Sequence, residues 1–126
     1  MTSTDYTLAK MYENSHPHTF IAVQHLVMAM EKVVKFRGKK SFLGRDKGLS
    51  AMNKFEKKLK DALLALVLDE KIKRNANPYE FCEALLSEIK VFSVIFPNWQ
   101  NAYSYASEYF EQSQDVAVDR ITSLLR

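Results

Sequence analysis

Three groups of residues in this 126-residue chain have types and spacings from which chemistry could be built. The first pairs histidine with acid. Glu13 and His16 stand in a Glu-x-x-His spacing, the pattern with which di-iron helical bundles hold metal. That chemistry needs a second copy of the motif and further inward carboxylates, which the chain does not supply. Pro17, directly after His16, also marks a helix boundary. His18 and His25 are seven residues apart, roughly 10 Å along a helix axis and too far to share one ion. Capping or solvent-exposed roles are expected for all three histidines, with no metal and no other cofactor.

The second group is the run KFRGKKSFLGRDKG, residues 35–48, which holds Gly38, Gly44 and Gly48, every glycine in the chain. Gly38-Lys39-Lys40-Ser41 has the ending of a phosphate-binding loop, but the glycine required five residues earlier is Val33, and a helical pattern stands where the preceding strand belongs. A looser chemistry remains: exposed glycine backbone beside lysines can cradle an isolated phosphate, especially near the start of the following helix.

The third group is nucleophiles and acids. Cys82 falls on an apolar stripe, where an inert buried thiol is expected. Glu83, Glu88, Glu108, Glu111, Asp115 and Asp119 fall at polar positions, with no pair evident in an apolar setting for acid–base work. There is no Gly-x-Ser-x-Gly elbow. These features predict a protein that is not an enzyme.

Charge placement is more informative than net charge. The total is +3, yet residues 32–60 carry eleven lysines and arginines against Asp46 and Glu56, a local net of +9 that leaves −6 on the remainder. Lys32 and Lys35 end one helical run, Arg37, Lys39, Lys40, Arg45 and Lys47 occupy the glycine-containing connection, and Lys54, Lys57 and Lys58 extend along the next run. Folded as a hairpin, these residues form one basic patch spanning 32–58, suited to an acidic protein surface or a nucleic-acid backbone. A solvated connection between antiparallel helices is the plainer reading of the same residues. The patch lacks helix-turn-helix spacing and has few side chains suited to base edges, so nucleic acid would be met through phosphates with little sequence preference. Tyr105 and Tyr109, one turn apart in an acidic setting, are expected to project opposite Tyr103 as exposed anchors for a second contact or a homodimer. Amphipathic tyrosines resting on neighbouring helices are the alternative.

The elements that position these residues read as helices. Three glycines and three prolines punctuate long runs with apolar residues at helical spacing. A first run, about residues 4–14, aligns Leu8, Met11 and Tyr12. A second, from Pro17 to about Phe36, is apolar over most of its circumference, with a polar stripe through Gln24, His25, Met28, Glu31, Lys32 and Lys35. A third, about Leu49 to Arg74, buries Met52, Phe55, Leu59, Ala62, Leu63 and Leu66. Its ALLALVL stretch, 62–68, requires cover on more than one side.

Asn77, Pro78 and Glu80 form the start signal of a fourth run, which buries Phe81, Cys82, Leu85, Leu86, Ile89, Phe92 and Phe96. Pro97 breaks or kinks the chain at FPNW. A fifth run turns Trp99, Tyr103, Ala106 and Phe110 inward, and a sixth, from Ser113 to Asp115 onward, buries Val118, Ile121 and Leu125.

The predicted fold class is all-α: a single-domain bundle over residues 1–126, of five or six helices, with a basic glycine-containing loop between the second and third. The lone Cys82, the polar N-terminus and the absence of a long apolar run predict a soluble cytoplasmic protein with no membrane partner. The function predicted from these features is a small non-enzymatic regulatory or adaptor protein that binds an acidic macromolecule. A bundle that binds a small molecule or metal between helices, with or without catalysis, is the alternative from another class, with its pocket near His18 or His25. An inhibitor or immunity-type protein would share the binding chemistry of the first.

Overall fold

The computed structural model describes residues 3–36, 47–95, 100–112 and 114–125. Six α-helices run through them: α1 (Ser3–Ser15), α2 (Pro17–Phe36), α3 (Lys47–Leu68), α4 (Pro78–Ile95), α5 (Gln100–Ser107) and α6 (Gln114–Leu125). A π-helical turn, Glu108–Gln112, extends α5. No strand occurs among the described residues, and the architecture is an all-α bundle. The glycine-containing connection and the FPNW segment lie outside the described residues.

The helices α2 and α3 form the most extensive pair, and the core grows around them. Val23, Leu26, Met30 and Val33 recur at helical spacing on α2 and meet Phe55, Leu59, Ala62, Leu63 and Leu66 of α3 in a fully buried cluster. From α4 come Phe81, Leu85, Ile89 and Phe92; Ala106, Phe110, Ala117 and Ile121 close the far side. Arg120 of α6 reaches Glu56 of α3 across 3.1 Å, a half-exposed ion pair that adds little beyond register. None of the described helices is long and apolar enough to cross a membrane.

Chain ends between helices are where local chemistry decides. The start of α4 follows its sequence signal: the Glu80 N–H donates to Asn77 Oδ1 at 2.9 Å, while Asn77 Nδ2 donates to Glu80 Oε1 at 3.0 Å. The reciprocal bond thus comes from the cap's side-chain amide instead of its backbone. The third run is expected to continue to Arg74 but stops at Leu68. There Lys71 N–H bonds Leu66 C=O at 2.9 Å and Glu70 N–H bonds Val67 C=O at 3.1 Å, the paired bonds of a Schellman cap. The left-handed residue that this cap demands is Glu70, with φ of 58°, where glycine is usual.

Several inward expectations are corrected. Met11, Leu64, Leu68 and Leu125 are exposed, as are Ile21 and Val34 on α2. The ALLALVL stretch is therefore covered on one side only: Ala62, Leu63, Ala65 and Leu66 face the core, and Leu64 and Leu68 do not. On α6 the buried stripe runs through Ala117 and Ile121, with Leu124 partly buried beside them, so Leu125 falls outside it.

Candidate functional site

Two clusters of polar side chains are built by this packing. The first is a groove of about 350 Å³ along the α2–α3 seam, lined by His25, Met28, Ala29, Lys32, Ala51, Lys54, Lys57 and Lys58. The spacing explains it. Residues 25, 28, 29 and 32 are i, i+3, i+4 and i+7 on α2, and 51, 54 and 58 repeat the pattern on α3, so each helix turns one edge to the same trough. Ala29 and Ala51, both buried, floor it with side chains too short to fill the space. Lysine stems line the walls, which lets ammonium groups stay in water while methylenes cover apolar surface. Among the described residues, no acidic side chain lines the groove.

Sequence reasoning thus places Lys32, Lys54, Lys57 and Lys58 where the fold brings them together. Lys35 is exposed at the end of α2 with its ammonium 5.4 Å from the Phe36 ring centroid, outside the groove lining. Arg37, Lys39, Lys40 and Arg45 lie outside the described residues, as does the Lys47 side chain at the first position of α3.

Tyr105 and Tyr109 are corrected. Tyr105 is 7% exposed and belongs to the core; Tyr109 is half-buried against it. Both rings stand edge-on to Phe55, at 6.0 and 5.3 Å between centroids, and Tyr109 also meets Phe110. Tyr105 lies in α5 and Tyr109 in the π-helical turn Glu108–Gln112 that follows it. Ala106 and Phe110 are buried as well, so this segment buries a wider face than the one expected inward. Burial, then the neighbouring Tyr105, pushes the Tyr109 phenol up to about 12. Neither tyrosine is an exposed anchor.

The second cluster was not signalled by any motif. Tyr12 of α1 donates its phenol to Glu88 Oε2 on α4, and Lys71, from the α3–α4 connection, reaches Glu88 Oε1 at 2.6 Å with its ammonium 5.2 Å from the Tyr12 ring centroid. Glu88 is 8% exposed, which corrects the expectation that it falls at a polar position. The signal is in the spacing: 81, 85, 88 and 92 share one helical face, and three of them are buried phenylalanine or leucine.

Burial pushes the Glu88 carboxyl up to about 7, and burial also draws the Lys71 ammonium below its usual value, with the Asp69 charge opposing that second shift. The ion pair itself favours both charged forms. Around this network opens a cavity of about 580 Å³ between α1 and α4.

The histidines divide. His18 is exposed and pairs through Nδ1 with Asp69 Oδ1 at 2.8 Å, close to the expected capping role, because Asp69 also receives the Thr19 backbone N–H at 2.6 Å. His25 lines the lysine groove. His16 is half-buried, and its Nδ1 is shielded from water with no hydrogen-bond partner among the described residues. No cluster of three or more His, Cys, Asp or Glu residues that could hold a metal occurs among the described residues. Cys82 is buried in the core, and burial raises its thiol to about 11, so it is held as an unreactive thiol.

No protein-family model matches the chain, and no curated protein or solved structure matches it either.

Proposed function

We propose that this chain is a small non-enzymatic adaptor or regulatory protein that receives an acidic segment of another protein in the α2–α3 groove. The observation that carries the reading is the convergence of Lys32, Lys54, Lys57 and Lys58 on one trough with no acidic residue among its described lining residues. Like charges held this close repel one another unless an anion enters, so an acidic occupant relieves a cost already present in the free protein.

The floor selects between partners. Met28, Ala29 and Ala51 offer apolar surface between the cations, which suits the alternating acidic and apolar side chains of a protein segment. A nucleic-acid backbone would be met by phosphate contacts; among the described residues no arginine and no aromatic side chain other than His25 lines the groove to hold bases. Its volume lies within the range of roughly 300–1,000 Å³ typical of concave binding sites, enough for a few side chains but not for a whole helix.

The test is a direct titration by fluorescence anisotropy with two labelled probes, a peptide alternating glutamate with leucine and a single-stranded oligonucleotide. The peptide is expected to bind, and Lys54→Glu with Lys57→Glu to weaken it by about tenfold. Binding of the oligonucleotide alone would reassign the partner class to nucleic acid, and binding of neither would remove the groove from any account of function.

A further inference from the structure

The cavity between α1 and α4 has a different composition from the lysine groove. Its lining includes Met11, Val91, Val94 and Ile95 on the apolar side, and Lys71 and Lys90 on the polar side. Met11, Val91 and Val94 are large apolar side chains left 60%, 39% and 66% exposed, although the same helices bury their other faces well. Three such residues around one concavity form apolar surface that a ligand would remove from water, at about 25 cal/mol per Å².

We propose that this cavity binds a small amphipathic monoanion, a medium-chain aliphatic or aryl carboxylate, with its apolar body against Met11, Val91 and Val94 and its carboxylate at Lys90. Charge bookkeeping selects the head group. Lys71 is engaged with Glu88 at 2.6 Å, so among the described lining residues Lys90 brings the cation that no acidic side chain meets. One negative charge balances it, whereas a phosphate monoester would bring about two. The hydroxyl of Ser87, also in the lining, supplies a donor for the second carboxylate oxygen, whereas the Ser15 hydroxyl already donates to the Met11 carbonyl at 2.8 Å; the shielded His16 Nδ1 adds a polar atom that has no partner among the described residues.

The volume, about 580 Å³, falls in the middle of the small-molecule range. The site stands apart from the lysine groove: the two share no lining residue, and neither proposal depends on the other.

The experiment is calorimetric titration of the whole protein with three probes: octanoate, octan-1-ol, which keeps the tail without the charge, and acetate, which keeps the charge without the tail. Octanoate is expected to bind at least about tenfold more tightly than either. Lys90→Gln and, separately, Val94→Ser should each weaken octanoate by about three- to tenfold, and both positions are exposed enough for the fold to tolerate the change. Lys54→Glu with Lys57→Glu should leave octanoate binding unchanged, which separates this site from the proposed protein groove. Octanol binding as tightly as octanoate, no octanoate binding, or octanoate binding indifferent to both Lys90→Gln and Val94→Ser would overturn the assignment.

Discussion

The Asp69 carboxylate accepts the Thr19 backbone N–H at 2.6 Å, so the residue that ends α3 caps the start of α2, fifty positions earlier in the chain. The same carboxylate takes His18 Nδ1 at 2.8 Å and its side chain is 4% exposed. His16, the residue before α2, does not have a side chain of the kind that normally caps a helix, so the cap is borrowed from another element. Asp69→Ala removes it. The expected loss is about 1–2 kcal/mol in urea unfolding, and Asp69→Asn, which keeps an acceptor, should lose less.

The pH dependence of that cap has a definite sign. Burial would raise the Asp69 carboxyl, but bonds from the Thr19 backbone and side chain and from His18 outweigh it and hold the group below its ordinary 3.8. A lowered carboxyl binds fewer protons folded than unfolded, so its stabilisation is present above that value and is lost as acid protonates it. The acid limb of the stability curve should flatten in Asp69→Ala; an unchanged limb would exclude the cap as its source.

Glu70, the next residue, sits at φ of 58° with two backbone bonds closing the helix end around it. A side chain in this left-handed region costs about 1 kcal/mol, which glycine avoids. Glu70→Gly should therefore raise the stability by about 0.5–1 kcal/mol, while Glu70→Ala, which keeps a Cβ, should not. Differential scanning calorimetry of the two variants side by side decides it, and equal midpoints would show that the turn is unstrained.

How far these features can be read from sequence depends on whether a short-range rule governs them. The start of α4 is legible because Asn77, Pro78 and Glu80 act within one turn, and the buried face of α3 because its apolar period is regular through Phe55, Leu59, Ala62 and Leu66. The lysine edge of the groove is legible for the same reason. The end of α3 is hidden because glutamate occupies the position where glycine would signal it. Tyr105 and Tyr109 mislead because this segment is covered on a wider face than one apolar stripe, Tyr105 being buried together with Ala106 and Phe110. The network of Tyr12, Lys71 and Glu88 joins three elements, and only Glu88 carries any trace of it, through its place on a buried face.

Glu88 gives the bundle a second pH response of opposite sign. Burial pushes its carboxyl from 4.5 up to about 7, so the folded state holds the proton more tightly than the unfolded state. Stability then falls as pH rises across that window, by at most about 3 kcal/mol at 1.36 kcal/mol per pH unit. Tyr12 and Lys71 face the group directly, with Asp69 acting on Lys71, and their stabilisation of the ionised form reduces the fall. Glu88→Gln cannot titrate there. The difference between wild-type and Glu88→Gln curves cancels the histidines and should slope only between about pH 4.5 and 7; a difference that stays constant across it would place the titration elsewhere.

The lysine groove makes the last prediction because its occupant is defined by electrostatics that salt can remove. Four ammonium groups along one trough attract an acidic segment from beyond contact distance, and ions shorten that reach from about 14 Å at 0.05 M salt to about 6 Å at 0.3 M. Affinity for the alternating glutamate–leucine peptide should fall steeply over this range in the wild type. Lys54→Glu with Lys57→Glu turns two of the four lysines into repelling groups, so it should both weaken the complex and flatten its salt dependence. Ala51→Leu tests the floor instead of the charge. The added bulk should block the apolar part of the trough, lowering affinity while leaving the salt dependence intact. A double reversal that bound the peptide with unaltered affinity and slope would mean that the acidic segment docks elsewhere on the bundle, and the convergence of these lysines would then be only the solvated edge of two adjacent helices.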